Sequence, residues 1–169
     1  AKFDDEKSEF SGYLKLWKWI NDARGGHGEH KLSNRQYEQL LRQNFVNIRR
    51  VREWRDIHTQ LHTVVAEHQW AINTAPATYE QLHLSMLSGL LGNIGQKHDT
   101  EDVYLGARGI KFHRHPGAHL SKRPGRWIVC AELVETARLF GRGIAAIEPQ
   151  WLEQVGGHLL KKQLLEPHW

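Results

Sequence analysis

The chain has 169 residues, with 23 Lys and Arg against 19 Asp and Glu for a formal net charge of +4, 40% hydrophobic residues and one cysteine. That length can bury one sizeable core or two small ones, and the lack of a long apolar run excludes a membrane-spanning helix of ordinary length. A single cysteine, Cys130, excludes an internal disulfide and fits a reducing compartment, and a charge so near balance does not by itself announce nucleic acid.

The opening AKFDDEKSEF is polar and lacks an initiator Met, so it reads as the start of a piece of a longer protein and not as a signal peptide. Residues 4–23 read as a first helix, with an acidic first turn that suits the helix dipole and a buried stripe of Phe10, Tyr13, Leu14, Trp17 and Ile20. The stretch RGGHGEHK at 24–31 is a glycine-containing loop; no further ligand lies near its His27 and His30, so loop polarity accounts for them. Ser33 is placed to cap a short helix, with Gln36 at the capping-box position and Tyr37, Leu40, Leu41 and Phe45 on its apolar side. The apolar direction changes across Asn44-Phe45-Val46-Asn47, which marks a break.

The stretch 47–70 is the longest helical pattern in the chain. Asn47 is its N-cap, and Val51, Trp54, Ile57, His58, Leu61, Val64 and Val65 recur at three- and four-residue steps, predicting one buried face. Arg49, Arg52, Asp56, Thr59, Thr63 and Glu67 share the opposite side. Arg49, Arg52 and Arg55 fall in the first two turns, with only Glu53 and Asp56 against them. A solvated face with local ion pairs and a phosphate-facing surface are both open for these arginines, and Arg55 also suits a structural ion pair.

Pro76 marks a connection, and Thr78 caps a helix running to about residue 93, with Leu82, Met86, Leu87, Leu90 and Leu91 inward and Gly92 and Gly95 ending it. After Gly95 the period falls from about four to two. Residues 103–105, 110–115, 127–136 and 139–147 read as strands, separated by Pro116-Gly117 and Pro124-Gly125, and 151–160 reads as a last helix. The expected fold is α+β: a helical bundle over 1–94 and a small five-stranded OB-like barrel over 95–169 with a short C-terminal helix.

No GxxxxGK[ST] loop, HExxH, GxSxG, CxxC pair or dinucleotide glycine pattern is present, so nothing supports catalysis by these residues alone. His113, His115 and His119 give an HxHxxxH spacing without a nearby Cys, Asp or Glu, a weak metal signal set among cations. Between Val103 and Ala131 stand six cations, Arg108, Lys111, Arg114, Lys122, Arg123 and Arg126, and no acid. Small barrels bind single strands by joining a positive groove to aromatic side chains. Lys111, His113 and His115 share a strand face, Lys122, Arg123 and Arg126 follow in the next loop, and Tyr104, Phe112 and Trp127 are aromatic, the last two suited to the core. Single-stranded nucleic-acid binding and protein docking are the two open readings; an RNA path would leave the barrel's cations unpaired in the chain on its own. Arg138 and Arg142 flank a turn and are weaker candidates.

The runs FDDEKSEF, QNFVNIRRVREWRDIHTQL, LLSGLLGNIG, YLGARGIKFHRHPG and RWIVCAELVETARLFGRGIAAIEPQWL together resemble the C-terminal accessory region of DEAH-box RNA helicases, above all the bacterial HrpA type. The resemblance covers essentially the whole chain. It implies a ratchet-like helical bundle followed by an OB-fold, a cytoplasmic protein, and an upstream motor of the same chain that uses ATP and Mg to move on single-stranded RNA or, alternatively, DNA. The motor's phosphate loop and DEAH motif are absent here, so no cofactor is expected in these residues, and the family's His-Pro-Ser-Ser turn stands as His115-Pro116-Gly117-Ala118. The expected nucleic-acid contacts are Arg49, Arg52, Arg55, Lys111, His113, Lys122, Arg123 and Arg126, each touching phosphate and fixing the strand's path without reading its sequence. The alternative is a scaffold that packs on the motor or on another protein, with little RNA affinity of its own.

Overall fold

The computed structural model describes residues 2–25, 31–118, 120 and 125–159. Its elements are α1 (Glu9–Ala23), α2 (Asn34–Gln43), α3 (Ile48–Glu67), α4 (Tyr79–Ser88), β1 (Ile94–Lys97), β2 (Tyr104–Leu105), β3 (Lys111–Arg114), β4 (Trp127–Glu135), β5 (Leu139–Ala146) and α5 (Pro149–Gly156). They form two compact units, one of Leu14–Pro76 and one of Ala1–Tyr13 with Ala77–Trp169.

In the helical unit the two caps act as the sequence dictates. Ser33 Oγ accepts the amide of Gln36 while the Gln36 side chain accepts the Ser33 amide, a complete capping box. Asn47 Oδ1 accepts the amides of Arg49 and Arg50. The core is Ile20, Tyr37, Leu41 and Val51, with Trp17, Trp54 and Val46 packed against it. The expected buried face of α3 ends there. Ile57, Leu61 and Val64 are exposed, while in the second half of this 20-residue helix the ring of His58 meets that of Trp17 on α1. Tyr13 and Leu14 of α1 and Phe45 after α2 are likewise exposed and not buried as their spacing predicts.

In the other unit the helix expected from residue 4 begins only at Glu9. Asp5 Oδ1 accepts the amides of Lys7 and Ser8, which holds the chain in a turn. Ser8 then makes a β-bridge with Ala145. The five strands close into a barrel in the order β1-β2-β3-β5-β4, with β4 pairing back to β1. All pairings are antiparallel except β3 with β5, the arrangement of an OB-fold. β1 escapes the sequence reading because Ile94-Gly-Gln-Lys97 has no apolar alternation.

Tyr104, Phe112, Ile128, Cys130 and Ile144 fill the barrel. Gly141 is required beside them, since a Cβ there would stand 2.5 Å from the Cys130 sulfur. Burial pushes the Cys130 thiol up to about 12, so it is packing and not a nucleophile. Trp127 does not join this core. It packs with Leu87 of α4, Val129, Ala145, Trp151 and Leu152 in a second cluster, so α4, grouped with the bundle by its helical period, shares a core with barrel strands and α5. α4 itself stops at Ser88, short of residue 93, and a 3₁₀ turn covers Leu91–Asn93.

Candidate nucleic-acid interface

Of the three α3 arginines expected to contact phosphate, two point to solvent and one inward. Arg49 and Arg52 are exposed and form no ion pair among the described residues, whereas Arg50 is bonded to Glu53 at 2.9 Å. Arg55 is half-buried: its Nη2 lies 3.3 Å from the Tyr37 hydroxyl and 3.4 Å from the Ile20 carbonyl, and its guanidinium sits 5.9 Å from the Trp17 ring centroid. It thus binds α1 to α2 and α3 through neutral acceptors and an aromatic face, in place of the structural ion pair its spacing suggested.

Arg52 and Arg55 line an open cleft of about 610 Å³ together with Trp17, Asn21, Arg24, Asp56, His58 and Thr59. Trp17 lies 4.7 Å from Trp54 and 4.8 Å from His58, ring to ring, so the cleft brings two rings in contact, Trp17 and His58, together with three arginines and one acid. Arg24, Trp17 and His58 were not singled out as contacts from the sequence. Arg24 stood in a glycine loop and the other two in stripes read as buried; only the fold puts the cation beside the rings.

The barrel's basic segment is free of acid in sequence but not in space. The loop between β1 and β2 carries Asp99, Glu101 and Asp102. Lys111 Nζ donates to Glu101 at 2.8 Å, Lys97 is hydrogen-bonded to Asp102, and Arg126 lies 3.8 Å from Asp99. Lys111 and Lys97 hold the Glu101 and Asp102 carboxyls below their usual range, through a hydrogen bond first and charge second. Lys111 and Arg126 are therefore paired on this surface, unlike the unpaired cations expected of a strand path, although pairs this exposed are weak and exchange readily for phosphate. His113 is half-buried, and its ring and that of His115 each lie 6.0 Å from Phe140 on β5. Arg142 is paired with Glu132 at 3.5 Å. Lys122 and Arg123, and His119 of the histidine spacing, lie outside the described residues. No group of three or more His, Cys, Asp and Glu able to hold a metal occurs among the described residues.

No described helix is long and apolar enough to cross a membrane. Residues 82–159 match the family described as Oligonucleotide/oligosaccharide-binding (OB)-fold. Over 168 residues, 99% of this chain, the sequence is 42% identical to "ATP-dependent RNA helicase HrpA" of Escherichia coli (strain K12) and 39% identical to "ATP-dependent RNA helicase HrpA homolog" of Haemophilus influenzae. A stretch of 145 residues, 80% of the chain, is 21% identical to "Probable ATP-dependent RNA helicase DHX35" of Pongo abelii. The chain spans 12% of the length of each of the two bacterial relatives and 20% of the third.

Proposed function

We propose, for a chain whose residues 82–159 belong to the OB-fold family and which is similar along its length to HrpA-type RNA helicases, that it is a helicase accessory region that holds single-stranded RNA by its backbone. The strand would be pulled by an ATP- and Mg-dependent motor elsewhere in the same protein. Arg49 and Arg52 on α3 and Lys111, His113 and Arg126 on the barrel supply cationic or titratable groups for phosphates, together with Lys122 and Arg123. The observation that carries the reading is the pair Arg49 and Arg52, exposed and without an acidic partner among the described residues, because surface arginines without local use are the ordinary currency of phosphate contact. Binding of an unstructured RNA, weakening with salt and weakened further by replacing both arginines with Ala, is the test.

One observation favours the scaffold reading. Ile57, Leu61 and Val64 stand exposed at four- and three-residue steps along α3, and such a stripe suits a packed protein neighbour. On that reading the same RNA titration gives no binding at low salt.

A further inference from the structure

Phe45 stands where a side chain is least welcome. At the end of α2 the amide of Val46 donates to the Leu41 carbonyl at 2.9 Å and the amide of Phe45 to the Arg42 carbonyl at 3.1 Å, the paired bonds of a Schellman cap. The corner residue of that cap is Phe45, with φ +58°, in the left-handed region that glycine or asparagine ordinarily fills and where a bulky residue is an outlier. Val46 turns into the helical core. The Phe45 ring gains nothing from burial, being 99% exposed. Gln69 makes the same kind of turn after α3 at φ +54°, but it presents an amide to water and not an apolar ring.

The exposed residues that flank Phe45 in the chain are polar. Arg42, three residues before it, and Arg49, four after, are both exposed, as are Gln43 and Asn47; among the described residues Arg42 is paired with Glu38 at 3.7 Å, the two side chains 83% and 45% exposed. An aromatic anchor for a protein partner sits at the centre of an apolar patch that excludes water. An exposed ring flanked in sequence by exposed cations and amides instead suits a sequence-tolerant single-strand site, ring for base and cation for backbone.

We propose that Phe45 is a stacking platform for an unpaired nucleobase, with Arg42 and Arg49 taking the flanking phosphates. This rests on the single-strand reading above and adds to it a contact to the base itself, on the helical unit.

The test compares the unaltered chain with Phe45→Leu and Phe45→Asn, titrated against a labelled oligouridine and an abasic ribose-phosphate strand of equal length. Phe45→Leu should weaken oligouridine binding by about 5- to 150-fold. Its salt slope should stay unchanged, because no charge is lost, and the abasic strand should bind both proteins alike. Phe45→Asn should lose the same affinity while melting no lower than the unaltered chain, since asparagine tolerates the left-handed turn. Oligouridine binding by the unaltered chain that Phe45→Leu leaves intact overturns the stacking site alone. Failure of the unaltered chain to bind at low salt overturns the stacking site and the single-strand reading together.

Discussion

Ser8 Oγ lies 2.5 Å from Nε2 of His83, and both side chains are fully buried. The other ring nitrogen, Nδ1, lies 2.6 Å from the Tyr79 carbonyl, which can only accept, so Nδ1 carries the hydrogen and Nε2 accepts from the serine hydroxyl. Tyr79 stacks on the same ring at 3.8 Å and donates its hydroxyl to the Ala146 carbonyl. The neutral imidazole thereby ties the N-terminal segment to α4, using both nitrogens and leaving none for a second proton.

A pH dependence follows. Burial holds His83 below its ordinary value of 6.5, against smaller opposing effects of the Tyr79 carbonyl and Asp5. Because the folded group resists protonation, its contribution is complete above pH 6.5 and is lost as pH falls from there toward the lowered folded value. Urea unfolding of this unit should show a stability loss on acidification that His83→Gln flattens, at a cost of about 1–3 kcal/mol at pH 8 for disturbing a buried hydrogen bond. An equal slope in both proteins would assign the acid sensitivity to other groups.

Cys130 reports on the barrel's integrity. With its thiol pushed up to about 12 and no exposed surface, it should be unreactive toward a disulfide reagent in the native chain at pH 8 and react fully in denaturant. Gly141→Ala, which crowds the sulfur and Phe112, should destabilise the barrel by about 1–3 kcal/mol and speed labelling. Rapid native labelling would contradict the packing.

Arg55 and Arg52 should separate by readout. Arg55→Ala removes contacts to Tyr37, Ile20 and Trp17, so helical-unit stability should fall by about 1–3 kcal/mol. Arg52→Ala should leave the melting temperature within a degree or so, as expected for an exposed site, and lower the salt slope of RNA binding by about 0.7. The reverse assignment of effects would mean that Arg55 is the phosphate contact.

The loop of Asp99, Glu101 and Asp102 pairs with Lys97, Lys111 and Arg126, and on the proposed function it would compete with RNA for them. Changing the three acids to their amides should tighten RNA binding at low salt severalfold and make it more salt-dependent. Unchanged affinity would place the strand away from this face of the barrel.

Much of the fold was legible because local chemistry determined it: the Ser33–Gln36 box, the Asn47 cap and the period change after the fourth helix all reappear in the structure. Burial was legible only where a neighbour exists. The stripe on α3 meets other residues of the unit at Val51, Trp54 and His58, but Ile57, Leu61 and Val64 of the same stripe are exposed, and the pattern alone does not separate the two. The charge reading failed for a related reason. Counting acids between 103 and 131 misses the loop at 99–102, which the β1–β2 pairing folds back against Lys111 and Arg126. Phe45 was read as an apolar helix position; its backbone sign, invisible in sequence, turned it outward.

On the proposed function, this chain grips single-stranded RNA through phosphates. Anisotropy of a labelled, unstructured RNA titrated with the whole chain at several salt concentrations tests it most directly, beside Arg49→Ala/Arg52→Ala and Lys122→Ala/Arg123→Ala/Arg126→Ala variants. The expected result is a steep salt slope, about −0.7 per neutralised phosphate, that falls by roughly two phosphates in the first variant and roughly two to three in the second. No binding by the unaltered chain even at low salt would contradict it and make the chain a docking scaffold.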